Sequence, residues 1–367
     1  MIFKKNKYVT RLIALSILTS CSITSKNLNL NSIELLQENS PKDFLEIYDY
    51  QSYFYNDLEI IQAAIDEGIL DQRAFNEAKI LKKNYQKILT KKNYTLELKP
   101  NHQYSKDLIE LVYGLNLPIS ILWDEKNQTI LPKNLLSQKI NGFCSSIYDD
   151  AIESINQEIN KNSDSALMIY SEEYKSFAES LRPDNKSLIR IKYTATNVQE
   201  FSTEVLGVKF SEERFNKISN LNPNQNLNFN PRPRSDFKQI IIILNPQEYK
   251  SMIPALRYHG GNNFRYLNFI SSLEEINTPL QLLDYEDSLI PASIYLTSKI
   301  KNDESVSLEN FLKLGALHEW LLLQILKQAG VQSANINGVI GSISYRSNSC
   351  SKRSIPLQRI SSDLISS

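Results

Sequence analysis

The stretch from Arg232 to Ser271 constrains the fold more than any other part of the chain, because it spells out a complete strand-helix-strand unit. Gln239 is followed by the uninterrupted run Ile240-Ile241-Ile242-Ile243-Leu244, mostly β-branched, which is the pattern of a strand covered on both faces in a parallel sheet. Asn245 can cap a helix whose first position is Pro246, where the missing N–H costs no hydrogen bond. Tyr249, Met252, Ile253 and Leu256 recur at helical spacing, and His259-Gly260-Gly261-Asn262 ends the helix ahead of a second strand at 264–270. A βαβ unit of this kind implies a doubly wound sheet.

The N-terminus reads as a secretory signal. Lys4, Lys5, Lys7 and Arg11 precede an apolar run, Leu12 to Leu18, too short to cross a bilayer. Leu18-Thr19-Ser20-Cys21 looks like a bacterial lipoprotein box, with Cys21 as the residue to be acylated; the alternative is a plain cleaved signal with a chance cysteine. Several acyl chains on one residue would anchor stably, and Ser22 in place of Asp points to the outer membrane. Four of the 41 Lys+Arg lie in residues 1–20, which hold no Asp or Glu, so the processed chain is mildly acidic. That argues against nucleic acid as a partner, which needs a concentrated basic face. With 10 glycines in 367 residues and no GxGxxG or Walker pattern, a phosphate-cradling loop is not expected.

The rest of the chain alternates. Residues 1–20 are the expected signal, 21–39 a tether, and 40–93 a short helical region starting at Ser40-Pro41-Lys42-Asp43, with Asp71 opening its last helix. Strands are expected at 94–98, 117–123, 166–170 and 187–193, and helices at 106–115 and 172–181. Ile140 to Ala151 reads as a strand end followed by a capped, acidic first turn of a helix running to Ile159. Leu308 to Ala329 reads as a long helix, and 336–343 with 354–360 as a closing hairpin. The expected class is α/β.

Catalytic constellations are hard to assemble from these residues. Only His102, His259 and His318 are present. His318-Glu319 opens like a zinc-protease helix, but Leu322 stands where the second histidine would be needed, so no metal or other cofactor is expected. There is no G-x-S-x-G elbow, and Asp149-Asp150 in a first helical turn are explained by the helix dipole. Cys144 and Cys350 remain as an even pair beside the expected lobe junction, either disulfide-bonded in an oxidising compartment or buried as free thiols. Arg232, Arg234 and Asp236, at the entry to the central strand, form either a charged docking surface or interlobe ion pairs and loop anchors.

Several segments together carry a family resemblance. Phe201-Ser-Thr-Glu-Val-Leu-Gly-Val-Lys-Phe, the junction from Asn228 to Phe237, Leu314-Gly315-Ala316-Leu317-His318, the run from Ile336 to Tyr345 and Lys352 to Gln358 resemble, in order and spacing, the LppC/LpoA family. These are outer-membrane lipoproteins that activate a class A penicillin-binding protein. The resemblance covers about residues 94–360 and is clearest from 196 onward. It implies a type I periplasmic-binding-protein-like domain at 94–360, made of two Rossmann-like lobes. Lobe one would be about 94–140 and 277–330, lobe two about 141–276 and 331–360, with 361–367 as a tail. Lobe one is expected to be truncated, since the opening strand-helix pairs have no counterpart. The implied role is a non-catalytic, lipid-anchored partner of a peptidoglycan synthase; the alternatives are a solute-binding lipoprotein of an ABC transporter, or a scaffold that has lost both roles.

Overall fold

The computed structural model describes residues 50–125, 131–161, 164–184, 187–221, 228–229, 232–293, 295 and 307–362. The expected signal with Cys21, the tether, the helix start at Ser40 and most of the tail lie outside the described residues.

The described residues open with two helices, α1 (Tyr50–Asp66) and α2 (Gln72–Thr90), the second capped by the Asp71 carboxylate accepting from the Ala74 amide at 2.7 Å. A first βαβ unit follows: β1 (Tyr94–Leu98), α3 (Ser105–Gly114) and β2 (Ile119–Trp123), with the two strands parallel and in register from Tyr94↔Ile119 to Leu98↔Trp123. Then come α4 (Ile147–Lys161), β3 (Ala166–Tyr170), α5 (Lys175–Ser180), β4 (Leu188–Lys192), α6 (Val198–Val205), α7 (Val208–Leu221), β5 (Gln239–Ile243), α8 (Pro246–Tyr258), β6 (Arg265–Asn268) and β7 (Leu289–Pro291). The long helix α9 (Leu308–Gln328) leads into β8 (Ser333–Asn337), β9 (Ser342–Arg346), β10 (Lys352–Ser354) and β11 (Leu357–Arg359).

Six strands make the main sheet in the order β4-β3-β5-β6-β7-β11. All neighbours from β4 to β7 are parallel, and β11 closes the edge antiparallel to β7. Every residue of β5 is buried, as its unbroken isoleucine run requires, and β3 is buried in its first four residues. The chain leaves β3 in one direction for β4 and returns to its other side at β5, so the order reverses between β3 and β5. Right-handed crossovers in opposite directions put α5 and α8 on opposite faces of the sheet. Asn245 caps α8 by accepting from the Glu248 amide at 3.0 Å, and the Tyr249 hydroxyl donates to the Ile242 carbonyl while accepting from the Phe269 amide at 2.9 Å. The helix thereby fastens the ends of β5 and β6 where the strands begin to diverge. This is the α/β, doubly wound architecture the sequence implies.

The smaller lobe is the single unit β1-α3-β2. In place of a third strand it has a side chain: Gln328 at the end of α9 accepts from the Thr95 amide at 2.9 Å and donates to the Thr95 carbonyl at 2.7 Å. Helix α2 joins it to the rest of the molecule, with Asn84 Nδ2 donating to the Ser333 carbonyl and Lys87 Nζ to the Gly330 carbonyl, each at 2.9 Å.

Three expectations need correction. Residues 277–291 do not belong to lobe one, because β7 pairs with β6 through Leu267↔Leu289 and the Asp287 amide donates to the Ile360 carbonyl, which holds the segment on the main sheet. The closing hairpin is β8-β9, extended by β10 into a three-stranded antiparallel sheet, while 357–359 departs to the edge of the main sheet. The segment before α4 is not a strand end; it makes one bridge, Phe143 to Ser351.

Ile241 is fully buried at the centre of β5. Ile241→Ala is expected to lower the unfolding free energy by about 2–5 kcal/mol, read as a lower urea midpoint at unchanged slope.

Candidate functional site

In an open α/β sheet, the crevice beyond the carboxyl ends of the strands at the point where strand order reverses is where ligands are met. Here that rim is formed by Ser171 to Tyr174 after β3, Tyr193 after β4, Asn245 to Glu248 after β5 and Phe269 to Glu274 after β6. Aromatic rings line it. The Tyr148 ring, from the first turn of α4, meets Phe269 edge-on at 4.9 Å and Phe177 at 5.2 Å, and Tyr174 meets Phe269 at 5.7 Å between centroids.

Glu274 is set into this cluster and accepts a hydrogen bond from the Tyr148 hydroxyl. Burial pushes its carboxyl up to about 7, with Glu309 and Glu173 adding to the rise and the Tyr148 bond and Lys313 opposing it. The same burial raises the Tyr148 phenol and pushes Tyr174 up to about 12. Glu248 is likewise raised, by burial first. Its Oε2 and the Oγ of Ser171 are buried with no hydrogen-bond partner among the described residues. The lysines nearby are engaged elsewhere, Lys192 with Glu172 at 2.7 Å and Lys250 with Glu275 at 3.3 Å. Chemically the rim sets carboxylates over a buried aromatic cluster, with the Glu274 carboxyl pushed up to about 7.

A second cluster lies where α4, α9 and the three-stranded sheet meet. Arg353 of β10 is buried; its Nε donates to Glu319 Oε2 at 2.6 Å and its Nη1 to Asp150 Oδ2 at 2.9 Å. The guanidinium lies 4.1 Å over the Phe143 ring, and Glu319 Oε1 accepts from the amides of Ile340 at 2.7 Å and Gly341 at 3.2 Å. Gly338 permits that approach, since a Cβ there would stand 2.3 Å from Glu319 Oε1. Asp150 also accepts from the Ser145 hydroxyl, yet burial still holds its carboxyl above the usual range against the pull of Arg353. Cys144 and Cys350 are joined as a disulfide at the edge of this cluster, Cα atoms 5.0 Å apart, with the Cys144 amide donating to Ser351 O and the Ser351 amide to Gly142 O.

The sequence-derived candidates land unevenly. The first-turn acids divide their roles: Asp149 caps α4 by accepting from Ser146 N at 3.0 Å and Ser146 Oγ at 2.6 Å, whereas Asp150 turns inward to Arg353. The helix-dipole reading is therefore corrected for Asp150. Arg234 and Asp236 form a two-pronged pair with each other, Nε to Oδ1 at 3.0 Å and Nη2 to Oδ2 at 2.5 Å. The pair is local and not interlobe, and Arg234 anchors a loop as the second alternative has it: its amide donates to the Leu206 carbonyl, and its stem lies on Gly207, whose φ of +74° and lack of Cβ both suit the contact. Arg232 is exposed and has no ion-pair partner among the described residues. His318 is buried on α9, His259 Nε2 lies 2.9 Å from Gln199 Oε1, and no group of three or more metal-ligating side chains occurs among the described residues. Sequence reasoning missed Glu274, Tyr148 and the Asp150-Arg353-Glu319 triad. One signal was available, a charged Glu319 directly before the apolar run Trp320 to Leu323.

No family model and no curated protein matches the chain. Among solved structures, a substrate-binding protein of an ABC transporter from Desulfitobacterium hafniense, in complex with Leu, is similar over 70% of this chain and 93% of that one, at 8% identity and a TM-score of 0.34. The fold class rests on the sheet and helices themselves. No described helix is long and apolar enough to cross a membrane.

Because Glu274 binds its proton more tightly when folded than when unfolded, its contribution to stability is full below the ordinary carboxylate pKa and is lost as pH rises through about 7. The loss amounts to about 3 kcal/mol. Urea unfolding at pH 5 and pH 8 is expected to show this difference in the wild type and not in Glu274→Gln. Arg353→Ala leaves two buried carboxylates without a counter-charge and is expected to cost about 3–5 kcal/mol. The urea midpoint reads that cost, and thiol titration of the denatured, unreduced chain should find neither Cys144 nor Cys350.

Proposed function

We propose that the chain is a non-catalytic lipoprotein that binds a class A penicillin-binding protein and raises its peptidoglycan-synthesising activity from the outer membrane. The geometric observation that carries this reading is the size of the smaller lobe. Among the described residues it has two parallel strands and one crossover helix against a six-stranded sheet, and these offer no matching wall with which to close a ligand trap. A protein that presents a fixed surface needs no such closure. The Cys21 box and the ordered set of segments from Phe201 to Gln358 support the same reading from the sequence.

One observation favours the second reading, a solute-binding lipoprotein: Ser171 Oγ and Glu248 Oε2, left without partners at the rim where strand order reverses. The two readings separate experimentally. The mature chain in detergent is expected to retain a class A synthase in a pull-down and to speed glycan polymerisation or crosslinking by that enzyme. Neither retention nor stimulation, together with a melting temperature that rises on adding a small polar solute, overturns the first reading in favour of the second.

A further inference from the structure

Helix α7 is oriented against expectation. Of its 14 residues only Val208 is buried, and the face toward the body is made by Val208, Phe215 and Ser219, with Phe215 against Phe229 at 4.8 Å. The outward face, which in a surface helix is normally polar, instead carries Phe210 at 63% exposure, Ile218 at 46% and Leu221 at 80%. Arg214 and Lys217 fall in the same arc, since positions 210, 214, 217, 218 and 221 lie on one side of a helix. Both are exposed and form no ion pair among the described residues, whereas Lys209, outside the arc, is paired with Glu200 and Glu204 at 3.2 and 2.6 Å. Of the carboxylates of the helix, Glu212 lies away from this arc, and Glu213 lies at its edge, one turn from Lys217.

We propose that this face of α7 rests on an anionic phospholipid surface. Three large exposed apolar side chains alternating with two cations that make no ion pair among the described residues match the boundary between headgroup and acyl chain. There the apolar groups enter the hydrocarbon edge and the cations meet phosphates. A polypeptide groove would have to place two carboxylates among apolar pockets to offer the same match. The inference does not depend on the synthase reading, because the face is defined by α7 alone.

The test is hydrogen exchange across residues 208–221 in the full chain reconstituted into vesicles of phosphatidylcholine alone or with phosphatidylglycerol. Exchange is expected to be slower by roughly tenfold on the anionic vesicles, since each cation near such a surface contributes to binding, and the difference should shrink at high salt. Arg214→Glu with Lys217→Glu should abolish the preference for the anionic lipid, and Phe210→Ser with Leu221→Ser the protection itself. Melting temperature should be unchanged in both, because all four side chains are exposed. Equal exchange on the two vesicle types, protection that survives in both double variants, or protection that arises only when a partner protein is added would overturn the proposal.

Discussion

The Arg353 guanidinium is the interaction on which the arrangement of the whole molecule turns. It comes from the three-stranded sheet, one carboxylate comes from α4 against the main sheet, and the other from the middle of α9, so one buried cation joins three separate elements. A buried ion pair is weak evidence of net stabilisation, because desolvating three charges offsets most of the Coulomb attraction. Its physical consequence is geometric: uncompensated carboxylates at Asp150 and Glu319 are not tolerated, so alternative placements of β10 against α9 are penalised. The backbone amides of Ile340 and Gly341 complete Glu319, and the Cys144–Cys350 bond fixes the neighbouring strands from the other side.

From that junction α9 runs on to serve the smaller lobe. The same helix that binds Arg353 near its middle ends with Gln328 pairing to β1, so the position of β1 and β2 follows from the position of α9. Two parallel strands bury too little to stand alone, and the lobe owes its persistence to α9 and α2. Opposite it, the main sheet carries its reversal of strand order and its rim of carboxylates over a buried aromatic cluster. The raised carboxyl of Glu274 reflects first its burial and then the proximity of Glu309 at the start of α9, against the opposing pull of Lys313 on the same helix.

How far the sequence could be read depended on whether the signal was periodic or pairwise. Gln239 to Leu244 announced a strand covered on both faces, and Asn245-Pro246 a helix start, because a backbone pattern and a cap are local properties. Asp71 as a cap was legible for the same reason. The hairpin at the end of the chain was misread because strands 357–359 and 352–354 are both short and similar in composition, and only the sheet edge available to each separates them. Asp150 was misread because a carboxylate in a first helical turn is already satisfied by the helix, and nothing nearby announces an arginine more than two hundred positions away. Cys144 and Cys350 could be paired by elimination, yet whether they bond depended on the bridge that brings 143 beside 351.

The sequence by itself determined the α/β class, the central βαβ unit and the scarcity of catalytic groupings, since hydrophobic period, caps and residue inventory are written along the chain. Tertiary structure alone decided where the lobes divide, that Asp150 and Glu319 share one cation, that Glu274 titrates near neutrality and that α7 turns an apolar, cationic face outward. Each of those depends on burial and on partners distant in sequence. Burial is a property of the assembled layers, and no local pattern encodes which charge will be left in a low dielectric beside which other.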